Sequence, residues 1–346
     1  MDHRRRTLLA GAATVGIFLL VQVGGLAVVE PFLAADLQPV EDTSNPANSV
    51  LYFLAILAAS GLMLLVIKYD LEWIIRGFVL FGTAVLSWYV LAVFLPWPAA
   101  LVGALALGVA LFVYPEWYVI DVAGILMGAG AAGVFGITFG VLPALVLLVI
   151  LAVYDAISVY GTEHMLTLAE GAMDMRIPVM FVVPTTLSYS FLDDEPPAEV
   201  QADPAEDGGS AEYPDGGSES GDGEGPAATG TSDEPPSADD VPGPVVQDAL
   251  FVGVGDAVIP TVMVTSAVVT FPDAPAVAGP VTLTLPGLTS IVGILLGLCA
   301  LLWFVFRGRA HAGLPLLNGG AILGYVVGAL ASGIPLLEAL GLATYF

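Results

Sequence analysis

A span across the hydrocarbon layer of a membrane needs about 20 mostly apolar residues. This chain supplies nine such runs, at 7–29, 50–67, 74–95, 98–113, 118–138, 140–162, 249–271, 286–306 and 313–333. Inside lipid no water is available to the backbone, so each run must close its own hydrogen bonds as a helix. The pattern predicts an all-α polytopic membrane protein of about nine transmembrane helices, and the count turns on the short break Tyr114-Pro115-Glu116 between the fourth and fifth runs. Only 12% of the 346 residues are charged and 57% are hydrophobic, whereas soluble domains carry roughly 25% charged residues.

The first run follows Arg4-Arg5-Arg6-Thr7-Leu8-Leu9, which also fits a twin-arginine export signal. Its apolar length exceeds the roughly 7–15 residues of a signal core, so a retained helix is expected. Nine spans with a cytoplasmic amino terminus put Arg4, Arg5, Arg6, Lys68, Arg76, Arg176, Arg307 and Arg309 all on the inner side, as the positive-inside bias requires. The carboxyl terminus then lies outside.

Residues 193–248 are rich in Pro, Gly, Ser, Asp and Glu, and read as a disordered cytoplasmic linker between two membrane parts, 1–192 and 249–346. About half of the 33 acidic residues lie there, so the net charge of −25 describes the linker and loops more than the fold. Such acidity fits a halophilic source, one that lives in high salt, and it excludes nucleic-acid binding. One cysteine, Cys299, forbids an intrachain disulfide and reads as a small hydrophobe. His3, His164 and His311 are scattered, which gives no metal-ligand spacing.

An ionised carboxylate at bilayer depth costs several kcal/mol and is usually functional. Two stand out: Asp155 in Val153-Tyr154-Asp155-Ala156 of the sixth run, and Asp256 in Gly253-Val254-Gly255-Asp256 of the seventh. Neither run holds a Lys or Arg to neutralise them. Two facing carboxylates can share one proton. Such a pair suits peptide hydrolysis by water, one member acting as general base and the other as general acid. Gly253 and Gly255 should allow a neighbouring backbone to approach closely, and Pro260 should kink the helix. The bland alternative leaves Asp155 solvated at the interface. Asp70, Glu72, Glu116, Asp121 and Glu338 lie near run ends and read as interfacial.

At these residues the chain resembles the presenilin and signal peptide peptidase family of GxGD-type intramembrane aspartyl proteases. Tyr154-Asp155 and Gly253-Val254-Gly255-Asp256 look like the family's Tyr-Asp and Gly-x-Gly-Asp motifs. Ala312-Gly313-Leu314-Pro315 meets its Pro-Ala-Leu motif only at Leu314 and the proline that follows. The resemblance implies a presenilin-like bundle, with Asp155 and Asp256 as catalytic residues and Tyr154, Gly253, Gly255, Gly313, Leu314 and Pro315 in support. It implies no metal or other cofactor, and transmembrane helical proteins or peptides as substrates in the lipid bilayer. Accessory subunits stay open. Residues 165–170 look like the family's amphipathic extension, and 176–184 like an extended segment before the variable loop. By composition, Ile177 to Val183 could offer an unpaired strand edge to an unwound substrate, or pack as an apolar loop. The inside position of the 193–248 linker favours the presenilin-like branch over the signal peptide peptidases.

Three rivals remain at this stage. A proton-coupled transporter could use the same two aspartates, although no internal repeat places them symmetrically. A prepilin-type peptidase shares Gly-x-Gly-Asp but has fewer spans. A non-catalytic scaffold would retain the residues without the reaction.

Overall fold

Apolar runs bounded by prolines, glycines and charges become helices whose ends fall close to those breaks. The computed structural model describes residues 3–38, 42–69, 72–161, 178–186, 189–190, 249–277, 281–307 and 312–343. Six helices come first: α1 (His3–Ala34), α2 (Ala47–Lys68), α3 (Glu72–Phe94), α4 (Trp97–Val113), α5 (Trp117–Thr138) and α6 (Val141–Gly161). Two strands follow, β1 (Met180–Pro184) and β2 (Ala249–Gly253), then α7 (Val254–Thr270), α8 (Leu285–Val305), α9 (Gly313–Ala331) and a single turn, α10 (Leu336–Ala339). Seven of these helices are long and apolar enough to cross a membrane, while α4 and α7 are shorter apolar helices of 17 residues. The linker 193–248 and the 165–170 extension lie outside the described residues.

The seventh apolar run departs from expectation. Its first five residues, Ala249–Gly253, form a strand rather than the start of a helix. Apolar composition alone does not distinguish a buried strand from a helix segment, and here a partner decides the outcome. β1 pairs antiparallel with β2, Met180 opposite Gly253 and Pro184 opposite Ala249.

Helix burial is uneven. On α2, α3 and α4 large side chains such as Leu51, Leu62, Phe78, Phe81, Leu105 and Phe112 face outward, as lipid-facing helices require. The interior is built from α1, α5, α6, α7 and the α8–α9 pair around Phe18, Leu148, Met263, Leu298 and Leu317. Apolar side chains gain little by leaving lipid, so close backbone packing by small residues drives association of such helices. On α5, Gly128 receives Val21 of α1 and Val258 of α7, and Thr265 of α7 donates to the Ala132 carbonyl at 3.1 Å. The α8–α9 contact is tighter still. A Cβ at Gly293 would collide with the Gly320 carbonyl, one at Gly320 with the Gly293 carbonyl, and one at Gly324 with that of Thr289. Ser290 adds a hydrogen bond to the Ala321 carbonyl at 3.0 Å.

Candidate functional site

Asp155 lies six residues before the end of α6 and is only 5% exposed. The interfacial reading of this residue does not hold, because α9 covers it. α9 begins after Ala312, so Gly313 and Leu314 are its first two residues, and their amides have no partner within the helix. Asp155 supplies one: Leu314 N–H donates to its Oδ2 at 3.0 Å, and the Gly313 amide also donates to this carboxylate. The positive end of the α9 dipole favours the negative charge there.

Asp256 is the third residue of α7 and partly exposed. Its carboxylate reaches back to accept from the amide of Gly253, the residue preceding the helix. This is one half of a capping box. Gly253 has φ −60° and ψ 135°, a conformation open to any residue, so space rather than backbone freedom calls for glycine there. A Cβ would stand 3.3 Å from Asp256 Oδ2. Gly255 differs from expectation: nothing lies within 4 Å of where its Cβ would be, because no neighbouring backbone packs against that exposed turn. Pro260 sits inside α7 and cannot donate to the Asp256 carbonyl, which loosens the helix one turn beyond the carboxylate.

The two acids meet at the start of α9. While Leu314 N–H holds Asp155, a Cβ at Gly313 would lie 3.6 Å from Asp256 Oδ2, and Asp155 lies within electrostatic range of Asp256. The first two residues of α9 therefore lie beside both carboxylates, Leu314 by a hydrogen bond to Asp155 and Gly313 where a Cβ would come into van der Waals contact with Asp256. The remaining sequence candidates are less central. Tyr154 turns its ring to Phe53 of α2, edge-on at 5.8 Å, and Pro315 is half-buried in the first turn of α9.

Sequence reasoning missed the supports of this site. Asn318, one turn beyond Leu314, is fully buried and donates to the Leu148 carbonyl of α6 at 2.9 Å, tying α9 to the helix that carries Asp155. Glu116 and Asp121, both at the start of α5, are buried within the protein, 4% and 8% exposed. Ser190 donates to Glu116 Oε1 at 2.6 Å, and Val182 N–H donates to Asp121 Oδ1 at 2.7 Å. Both acids are satisfied by the segment after α6, which a reading of run ends does not anticipate. The signal was their position: acids in or beside an apolar run, like the two singled out.

Known proteins share the family and the fold of this chain. The family described as signal-peptide peptidase, presenilin aspartyl protease matches residues 15–334. A solved presenilin family intramembrane aspartate protease in a C222 crystal is 30% identical, covering 93% of this chain and 99% of its own, with a TM-score of 0.59. A structure of such a protease in a P2 crystal is 31% identical over 92% of this chain and 97% of its own, with a TM-score of 0.53. Curated proteins give no match.

Proposed function

Since this chain belongs to the signal-peptide peptidase and presenilin family and is an intramembrane aspartic endopeptidase, we propose that Asp155 and Asp256 are its catalytic pair, acting on transmembrane segments of membrane proteins. The observation that carries this reading is the shared start of α9, where Leu314 N–H binds Asp155 and Gly313 packs against Asp256. Family membership removes the transporter as the primary reading.

In the proposed reaction the pair holds one proton. The ionised carboxylate takes a proton from water as the water oxygen attacks the scissile carbonyl carbon, and the protonated carboxyl donates to the carbonyl oxygen. The tetrahedral diol then returns a proton to the carboxylate and breaks its C–N bond, the departing nitrogen taking the proton of the other carboxyl. Free acid and amine ends leave, and the pair again holds one proton. No cofactor enters. Gly253, Gly313 and Leu314 hold the carboxylates, with Tyr154, Gly255 and Pro315 in less direct support.

A substrate helix must unwind to expose its peptide bond. The 177–183 segment was one candidate for a docking edge, but β1 is paired with β2 on one side and Asp121 takes the Val182 amide on the other. Strand addition beside β2, which runs directly into Asp256, is therefore the proposed mode. An inner amino terminus, an inner 193–248 linker between the two membrane parts and an outer carboxyl terminus are supported by the basic residues Arg4, Arg5, Arg6, Lys68, Arg76 and Arg307, which all fall on one side of the nine-span arrangement. Substrates with outward amino termini then fit.

Asp155→Asn and Asp256→Asn each keep the side-chain shape and are expected to lower cleavage of a helical membrane peptide in vesicles by on the order of 10³-fold or more. Helicity and thermal midpoint should stay near those of the parent. Turnover persisting in either variant overturns the assignment.

A further inference from the structure

The hydrogen-bond parity of the sheet identifies a role for a residue outside the carboxylate pair. In an antiparallel pair, alternate residues bond across to the partner and the others point their amides outward. Val254 N–H donates to the Val179 carbonyl at 2.9 Å, which fixes the phase: Val179, Phe181 and Val183 face β2, while Met180, Val182 and Pro184 face away. The bond from Val182 N–H to Asp121 Oδ1 agrees with that phase. By the same parity, Gly253 on β2 points away from β1, and its amide reaches Asp256.

The outer edge of β1 is therefore closed at two successive outward positions. Asp121 occupies the Val182 donor, and Pro184 has no donor to offer. Beyond them lies a cavity of about 830 Å³, lined among others by Arg6, Trp117, Tyr118, Asp121, Val183 and Pro184, while Val182 itself packs against Leu111, Ile120 and Ala123. On its inner part, the Phe181 ring lies over Gly124 of α5, where a Cβ would come within 2.8 Å of it. Asp121 and Gly124 stand one turn apart on α5 and hold the strand from the same helix.

We propose that Asp121 is a positioning residue that locks β1 to α5, thereby setting the place of β2 and closing the wrong sheet edge to substrate. The second half of this inference rests on the protease reading, whereas the first does not. A lost hydrogen bond to a buried carboxylate changes a local equilibrium about tenfold or more.

The test uses the full chain in lipid nanodiscs, with amide exchange and cleavage of a helical membrane peptide measured together. Asp121→Ala should speed exchange at Phe181 and Val183 about tenfold and raise KM about tenfold, with kcat changed less than threefold. It should also scatter cleavage over neighbouring bonds. Asp121→Asn, which keeps an acceptor oxygen, should restore all four readouts to within threefold. Should the alanine variant fail to fold, Val182→Pro removes the same bond from the strand side without touching the β1–β2 ladder, and should reproduce the phenotype. Unchanged exchange and unchanged KM in a folded Asp121→Ala or Val182→Pro variant overturn the proposal. If the parent cleaves nothing while exchange at Phe181 and Val183 still responds to residue 121, the protease reading fails and the positioning role stands.

Discussion

Asp155 and Asp256 face the same helix start, yet the halves of the molecule that deliver them are built differently. Asp155 depends on α9, which is fused to α8 through backbone contacts at Gly293, Gly320 and Gly324. Asp256 stands at the start of α7, whose body is packed in the core around Val262, Met263 and Ala267, and the strand that leads into it belongs to a two-stranded sheet held to α5 by the Asp121 bond and by the seat of Phe181 on Gly124. A backbone-to-backbone interface has no side chain whose removal loosens it; it is broken by adding atoms. A side-chain attachment is broken by deleting them. The contrast sets a backbone interface behind the helix that binds Asp155 against a side-chain attachment for the sheet that leads into Asp256, on the side where an unwound substrate is proposed to bind.

Adding atoms to the backbone interface should have the largest effect after loss of the aspartates themselves. Gly320→Leu drives a side chain into the Gly293 carbonyl, and overpacking of this kind costs about 1–3 kcal/mol or more. The expected outcome is a lower thermal midpoint and loss of cleavage together, measured by circular dichroism and peptide turnover. A variant as stable as the parent would remove the claim that α8 and α9 act as one piece.

On the sheet side, a smaller addition should act locally. Gly253→Ala places a methyl 3.3 Å from Asp256 Oδ2, so kcat is expected to fall about tenfold while the thermal midpoint moves little. Gly255→Ala is the matched control. With open space around it, that variant should keep the parent's stability within about 0.5 kcal/mol. Equal behaviour of the two variants would break the distinction between the glycines.

The smallest effect is expected where a deletion meets the α8–α9 half. Asn318→Ala removes its bond to the Leu148 carbonyl, worth about 1 kcal/mol. Because the glycine contacts of α9 remain, cleavage should fall only a few-fold, read as kcat/KM at constant substrate. A loss as large as that of Gly320→Leu would show that α9 is held from α6 rather than from α8.

Much of the helix layout was legible before any coordinates. The runs at 118–138 and 313–333 became α5 (Trp117–Thr138) and α9 (Gly313–Ala331), because hydrophobic length is a local property that lipid reads one segment at a time. Residues 249–253 were misread as helix, because their conformation depends on β1, a segment more than sixty residues away. The partners of Glu116 and Asp121 were illegible for the same reason: Ser190 and Val182 lie beyond the end of α6. The glycine spacing of α8 and α9 was visible in the sequence, but nothing local says which helix a glycine face will meet.

The sequence by itself determined that this chain crosses a membrane many times and carries two uncompensated aspartates on neighbouring spans. Both follow from the free energy of placing each residue type in hydrocarbon, a quantity that needs no knowledge of neighbours. Only the tertiary structure decided that the start of α9 joins the two carboxylates and that a strand precedes α7. It also decided that Asp121 closes the far edge of the sheet. Those features are hydrogen bonds between distant segments, and their existence depends on which groups the packed helices leave facing one another.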